Sequence, residues 1–195
     1  MRIVAGAWRG RALRAPPGDT TRPTADRVRQ ALFDMLLHAP WGGRDLIEGA
    51  HVLDVFAGTG AFGLEALSRG AAFATFIEQD RAALAALRAN ITTLRAADRT
   101  RVLASDALAA RALPAAGPNT PGGTPCTLVF LDPSYGADLV PRALAHLTAG
   151  GWIAPGALIV AETARDEPPL HADLLAERVH GAARLNIWRA PARSP

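Results

Sequence analysis

The 195-residue chain has no lysine and a single cysteine, Cys126. One thiol cannot close an internal disulfide, and no Cys/His spacing of the zinc-binding kind surrounds it, so a disulfide scaffold and a structural zinc are excluded and a reducing, cytoplasmic setting is expected. No apolar run approaches the ~20 residues that span a bilayer, and Met1 to Arg14 is interrupted by Arg2, Arg9 and Arg11, so neither a secretory leader nor a membrane anchor is expected. The five histidines (His38, His51, His146, His171 and His180) show no ligand or triad spacing, and no metal is expected. What remains is ordinary globular material, 49% hydrophobic and 20% charged, long enough to bury one core without staples.

The absence of lysine leaves arginine to carry all 21 basic charges against 18 acids, a net charge of +3. Exclusive arginine fits a GC-rich coding bias, but its placement is uneven. Residues 1–29 hold Arg2, Arg9, Arg11, Arg14, Arg22, Arg27 and Arg29 against Asp19 and Asp26, a balance of +5, so the remainder sums to −2. A basic head on a near-neutral body suits an anionic partner such as nucleic acid, although a solvated charged face would give the same count.

Arg2 to Leu13 alternates around Gly6 and Gly10 as a short hairpin does, ended by Pro16-Pro17-Gly18. Thr24 is the expected N-cap of a helix reaching about His38, with Asp26 in its first turn and Val28, Leu32 and Met35 or Leu36 on one face. From His51, short apolar runs (His51 to Phe56, Phe73 to Glu78, Arg101 to Ser105, Thr127 to Asp132, Ala157 to Glu162) alternate with helical patterns. The clearest of these places Leu84, Leu87, Ile91 and Leu94 together. That alternation predicts a doubly wound α/β fold with a mostly parallel sheet, residues 41–195, preceded by a hairpin-and-helix extension, residues 1–40. Pro114 to Pro125 reads as an irregular surface loop, and the residues after Pro168 as one more helix and a closing pair of strands, the last at Leu185 to Arg189. No internal repeat is visible.

The first strand runs into Asp54-Val55-Phe56-Ala57-Gly58-Thr59-Gly60-Ala61-Phe62-Gly63. Glycines at 58, 60 and 63 between a strand and a helix allow a tight turn, close ligand approach and close packing, the pattern of a nucleotide loop. Glu78, ending the second strand, is placed to accept from the two hydroxyls of a ribose, a diol common to NAD and S-adenosyl-L-methionine. Asp54 favours the latter. A carboxylate inside a strand needs a polar partner, which an amino acid's ammonium supplies and a diphosphate does not.

At the end of the fourth strand, Leu131-Asp132-Pro133-Ser134-Tyr135 sets a carboxylate, a backbone carbonyl and a ring on the same sheet edge. Such a group suits an exocyclic amine on a flipped nucleobase. Asp132 and the carbonyl of Pro133 would accept its N–H bonds and Tyr135 would stack on the ring.

Together these residues resemble the class I S-adenosylmethionine-dependent methyltransferases, and within them the RsmD family of bacterial 16S rRNA guanine-N2 methyltransferases. Met1-Arg2-Ile3-Val4-Ala5-Gly6 with Trp8-Arg9-Gly10-Arg11, Arg22-Pro23-Thr24 with Asp26-Arg27-Val28-Arg29, and Gly63-Leu64-Glu65-Ala66-Leu67-Ser68-Arg69-Gly70 are similar to stretches of that family across nearly the whole chain. The resemblance implies a Rossmann-like fold, a donor site of Asp54, Phe56, Gly58, Gly60 and Glu78, with Asp106 and Ala107 at the adenine, and Asp132, Pro133 and Tyr135 at the target base. Ser134 stands where the family has a second proline. It further implies a cytoplasmic monomer acting on 16S rRNA or the small ribosomal subunit, with Arg9, Arg11, Arg22, Arg27 and Arg29 as the RNA clamp. Three other readings fit parts of the pattern. They are an adenine-N6 methyltransferase on DNA or RNA, an NAD-linked oxidoreductase using the glycine loop and Glu78, and a non-catalytic RNA-binding module.

Overall fold

The computed structural model describes residues 1–16, 23–114, 123–133, 138–167, 170 and 173–192, with only the backbone of 23–25. In chain order the elements are α1 (Pro23–His38), β1 (His51–Val55), α2 (Ala61–Ser68), β2 (Phe73–Glu78), α3 (Arg81–Leu94), β3 (Thr100–Ala104), β4 (Cys126–Leu131), α4 (Leu139–Ala149), β5 (Ile153–Ala164), β6 (Ala176–His180) and β7 (Ala183–Arg189). The strands form one seven-stranded sheet in the order β3-β2-β1-β4-β5-β7-β6, parallel except for β7, which pairs antiparallel with both β5 and β6.

The near-continuous apolar runs in β1, β2 and β4 follow from burial on both faces of the sheet. On one face, Val52, Phe76, Leu128, Phe130 and Val160 pack under Leu32, Phe33 and Leu36 of α1, Leu64 and Leu67 of α2, and Leu87, Ile91 and Leu94 of α3. On the other, Leu53, Val55, Val129, Leu131 and Ile159 pack against Val140, Ala143 and Leu147 of α4, with Trp152 and Trp188. Connections leave β1 toward β2 and β3 on one side and leave β4 toward β5 on the other. The point where the winding reverses, between β1 and β4, opens a crevice at the carboxyl ends of the strands.

The predicted strands are all present, shifted by a residue at β1, β3 and β4, while β5 is longer than its apolar run at both ends, Ile153 pairing with Cys126 of β4 and Thr163 and Ala164 with β7. Two expectations are corrected. Thr24 lies in the first turn of α1, which opens with Pro23, so it is not the residue before the helix; a proline there is preset to the helical φ and has no N–H to leave unpaired. After residue 168 no helix occurs among the described residues. The chain instead turns through Gly181, at φ 61°, to make the β6–β7 hairpin at the sheet edge.

The head of the chain is not an appendage. Residues 2–12 make a narrow loop closed by one antiparallel bridge between Arg2 and Ala12, and Ile3 and Leu13 enter the same core as α1. Its backbone is held by side chains of the body. Both oxygens of Glu65, which has no exposed surface, accept backbone N–H groups, Oε2 from Val4 at 2.7 Å and Oε1 from Ala5 at 3.0 Å. Arg69 Nε donates to Oε1 at 2.8 Å and Arg29 Nε lies 3.6 Å from Oε2, so the buried charge is paired twice. Ser68 Oγ donates to the carbonyl of Ala5 and accepts from the N–H of Trp8. Gly6 packs so closely on this turn that a β-carbon there would sit 1.9 Å from the carbonyl oxygen of Ser68. Farther along, Asn90 of α3 exchanges two hydrogen bonds with the backbone of Arg14 and donates a third to the carbonyl of Thr59 in the glycine loop.

Replacing Glu65 by Ala leaves two arginines and two backbone N–H groups without their buried acceptor, a loss expected to cost ~3–5 kcal/mol of unfolding free energy. Urea denaturation of Glu65→Ala checks this, and a loss below about 1 kcal/mol would show that the head is not anchored there.

Candidate functional site

The crevice at the winding reversal is a cavity of about 1000 Å³. Its floor comes from the strand ends, with Asp54 and Phe56 from β1 and its exit, Ile77 and Glu78 from β2, Ser105 and Ala107 after β3, Asp132 after β4 and Glu162 of β5. The turn at residues 180–183 of the β6–β7 hairpin forms one wall, and Met1, Pro16, Val28 and Arg29 of the head border it from the side of α1.

The three glycines of the loop do different work. Gly58, at φ 55°, borders the cavity, and a β-carbon there would meet nothing within 4 Å, so its role is backbone conformation and access. Gly60 is not a lining residue. At φ 79° it precedes α2 as its N-cap, and a β-carbon would lie 2.4 Å from Leu87 Cδ1. Gly63 is likewise a packing glycine, since a β-carbon there would lie 2.5 Å from the ring of Phe76. The loop opens on Phe56, whose φ of 60° is a strained conformation for an aromatic residue and turns the chain under the cavity.

Asp54 is 2% exposed, and its Oδ2 accepts the backbone N–H of Gly63 at 2.9 Å. Burial pushes its pKa up to about 8; the Gly63 hydrogen bond works against this, and the charges of Asp132 and Glu78 add to it. Glu78 is held from below, since Oε2 accepts from Gly58 N–H at 2.7 Å and Oε1 from the N–H groups of Gln79 and Asp80, both at 2.8 Å. That cradle aims the carboxylate upward and couples it directly to the glycine loop. Asp132 keeps surface open toward the cavity while sitting deep among protein atoms, and burial raises its pKa, with the neighbouring Glu162 carboxylate raising it further. Asp54, Glu78, Asp132 and Glu162 therefore make an acidic floor, which repels a diphosphate and suits a cationic ligand.

The other expected residues fall into place unevenly. Ala107 lines the cavity, whereas Asp106 does not, and its Oδ1 accepts from Leu108 N–H at 2.9 Å. Pro133 borders a small adjoining cleft with Glu162. Ser134 and Tyr135 lie outside the described residues, as does Arg22. Arg9, Arg11 and Arg27 are exposed. Arg29 departs from the expected surface clamp, being 2% exposed and occupied by Asp26 Oδ1 at 2.9 Å, the carbonyl of Arg2 and Glu65. Its charge is spent inside the protein because α1 packs down onto the head. Among the described residues no group of three or more His, Cys, Asp or Glu is arranged to hold a metal, and no helix is long and apolar enough to cross a membrane.

The family model described as conserved hypothetical protein 95 matches residues 1–189. The chain belongs to that family. It is similar to the ribosomal RNA small subunit methyltransferase D of Escherichia coli K12, 40% identical over 99% of this chain and 91% of that one. The Haemophilus influenzae protein of the same name is 35% identical over 97% and 93%. The solved structure of the Escherichia coli protein yhhF superposes with a TM-score of 0.78 at 39% identity, covering 99% of each chain. An RNA methyltransferase from Salinibacter ruber in complex with S-adenosyl-L-homocysteine, 18% identical, shares the fold at a TM-score of 0.58 over 91% of this chain and 96% of that one. The resemblance to the RsmD family and the doubly wound fold are thus borne out.

Sequence reasoning missed Glu65, Ser68 and Asn90, polar residues on apolar helical faces whose backbone partners in residues 4–14 lie 60 or more positions away. It also gave no role to Glu162, although an acid ending an apolar run was a readable signal there, as it was at Asp132.

The position of Asp54 has a measurable cost. The unfolded chain releases this proton near pH 3.8 and the fold retains it to about 8, so the unfolded state binds fewer protons between those values and stability falls as pH rises through that window. Asp54→Asn keeps the acceptor for Gly63 and removes the burden. It is expected to be more stable than the parent by at least ~1 kcal/mol at pH 7.5, with the gap closing toward pH 4. A pH-independent gap in thermal melts would show that Asp54 is ionised in the unliganded fold.

Proposed function

We propose that this chain transfers a methyl group from S-adenosyl-L-methionine to the exocyclic N2 of a guanine in small-subunit (16S) ribosomal RNA, in the cytoplasm. The observation that carries this reading is the opening of Asp132, Glu78 and the glycine loop onto one acid-floored cavity at the winding reversal of the sheet. The name of the 40% identical Escherichia coli relative supports the RNA substrate.

Residues fit the donor in three places. Asp54 offers its remaining oxygen to an ammonium, Glu78 offers the lone pairs its backbone cradle leaves over to a ribose diol, and Gly58 with Ala107 provides flat, uncrowded surface. The donor supplies an activated methyl on a sulfonium, so the protein's contribution is alignment rather than activation. At the target, Asp132 and the carbonyl of Pro133 accept the N2–H bonds and direct the nitrogen lone pair at the methyl carbon. As the C–N bond forms, the S–C pair stays on sulfur and N2 gives up one proton. Asp132, whose raised pKa lies closer to neutrality than an ordinary carboxylate's, is the acceptor for that proton. Tyr135 supplies the stacking surface for the flipped base. Arg9, Arg11 and Arg27, exposed on the head, contact phosphates, and Arg29 holds the head in place from beneath.

With methyl-labelled donor and small-subunit rRNA lacking the modification, digested product is expected to carry label in N2-methylguanosine. Label in N6-methyladenosine alone, or none, would overturn the assignment. Asp132→Ala is expected to lower kcat by ~10²–10³ while S-adenosyl-L-homocysteine affinity, measured by calorimetry, is retained. For the head, replacing Arg9, Arg11 and Arg27 by Ala is expected to flatten the salt dependence of RNA binding by roughly 2–3 in log–log slope. Unchanged slope would remove these residues from the RNA contact.

A further inference from the structure

Glu162 enters none of the roles above, yet the sheet places it beside Asp132. Phe130 and Leu131 of β4 are in register with Val160 and Ala161 of β5, so Asp132 and Glu162 each come one residue later on neighbouring parallel strands, ~4.8 Å apart in the pairing direction. The N–H of Asp132 points back to the carbonyl of Val55, at 3.5 Å, which continues the strand geometry past the end of β4. By the two-residue alternation of side chains, Asp132 and Glu162 share the face of Asp54, Phe130 and Val160, the face on which α1 and the head lie. Both line the large cavity, and Glu162 also borders the adjoining cleft with Pro133. The charge of Glu162 is felt at Asp132, as it is between carboxylates this close. The remaining charged groups around the cavity are Asp54 from β1, Glu78 and Asp80 at the end of β2, Arg29 from α1 and His180 at the hairpin turn.

Two adjacent acceptors at one end of the cavity match a base edge that presents two adjacent donors. Among the common bases only guanine presents an amine next to a ring N–H, through N2 and N1; adenine offers its amine next to a bare ring nitrogen. We propose that Glu162 is the residue that selects guanine, accepting the N1–H while Asp132 accepts from N2. The proposal rests on the methyl transfer assigned above and adds its base specificity. A purine whose N1 lacks a proton sets its lone pair against the Glu162 carboxylate and is rejected, since a buried acceptor facing another acceptor loses its hydrogen bond and gains repulsion.

The test uses the full chain and an rRNA fragment carrying the guanine located by mapping the labelled product, synthesised with either guanosine or 2-aminopurine riboside at that single position. 2-Aminopurine keeps the N2 amine and lacks the N1 proton. The parent is expected to favour guanine strongly in kcat/KM. Glu162→Gln, whose amide can donate to a bare N1 or accept from N1–H, is expected to narrow the guanine/2-aminopurine ratio by at least about tenfold. Glu162→Asp, which keeps the charge, is expected to retain the preference. Because the ratio is taken within one variant, a loss of stability or of donor affinity lowers both rates and leaves it unchanged. A Glu162→Gln ratio within about twofold of the parent's, with the parent methylating guanine N2, overturns the role of Glu162 alone. No methylation of guanine by the parent overturns the functional assignment as well.

Discussion

The buried carboxylate of Glu65 is the interaction on which the remainder is built. It sits on α2, one helical turn beyond the glycine loop, and it binds the backbone of residues 4 and 5 and the guanidinium groups of Arg29 and Arg69 in one buried cluster. A carboxylate in that position is tolerated only while all its acceptor sites are met, so α1, the head and α2 are obliged to assemble together. Arg69 extends the cluster by lying over the ring of Phe33, 4.7 Å from its centroid, and Phe33 in turn meets Phe130 of the central strand. The head thereby becomes part of the cavity: Met1, Pro16 and Val28 line it. A segment that composition marks as a basic tail is in fact one wall of the site.

The second constraint is electrostatic. Four carboxylates gathered at the strand ends repel one another, and two of them have their pKa values raised by burial and mutual charge. The unliganded fold carries this as a burden that a cationic ligand relieves, a form of preorganisation in which the cost is met during folding. Backbone N–H groups hold Asp54 and Glu78 in position beforehand, so little side-chain freedom is lost when a ligand arrives. The same design explains why Gly60 and Gly63 are needed although neither touches the cavity space: they let α2 approach β2 and α3 closely enough for these N–H groups to reach.

Much of this was legible from residues alone. β2 begins and ends where its apolar run does, and α3 buries the four residues its periodicity named, because the hydrophobic pattern is a direct record of which face meets the core. Asp54, Gly58, Glu78 and Asp132 were visible as polar or flexible residues interrupting apolar strands at one sheet edge, where local sequence must serve the ligand rather than the core. The failures are equally physical. Thr24 has the chemistry of a cap, but Pro23 opens the helix ahead of it. Arg29 carries the same charge as Arg27, and only the packing of α1 decides that one is buried and the other exposed.

The sequence by itself determined the class of fold, the strand and helix alternation, the glycine turn and the acids that end the strands, since each depends on the chemistry of a few neighbouring residues. Tertiary structure alone decided which polar groups meet. Glu65 reaching Val4, Asn90 reaching Arg14 and Thr59, and Glu162 aligning with Asp132 all join residues about 30 to 76 positions apart. Hydrogen bonds and charges act over a few ångströms of space, and chain separation carries no record of that distance.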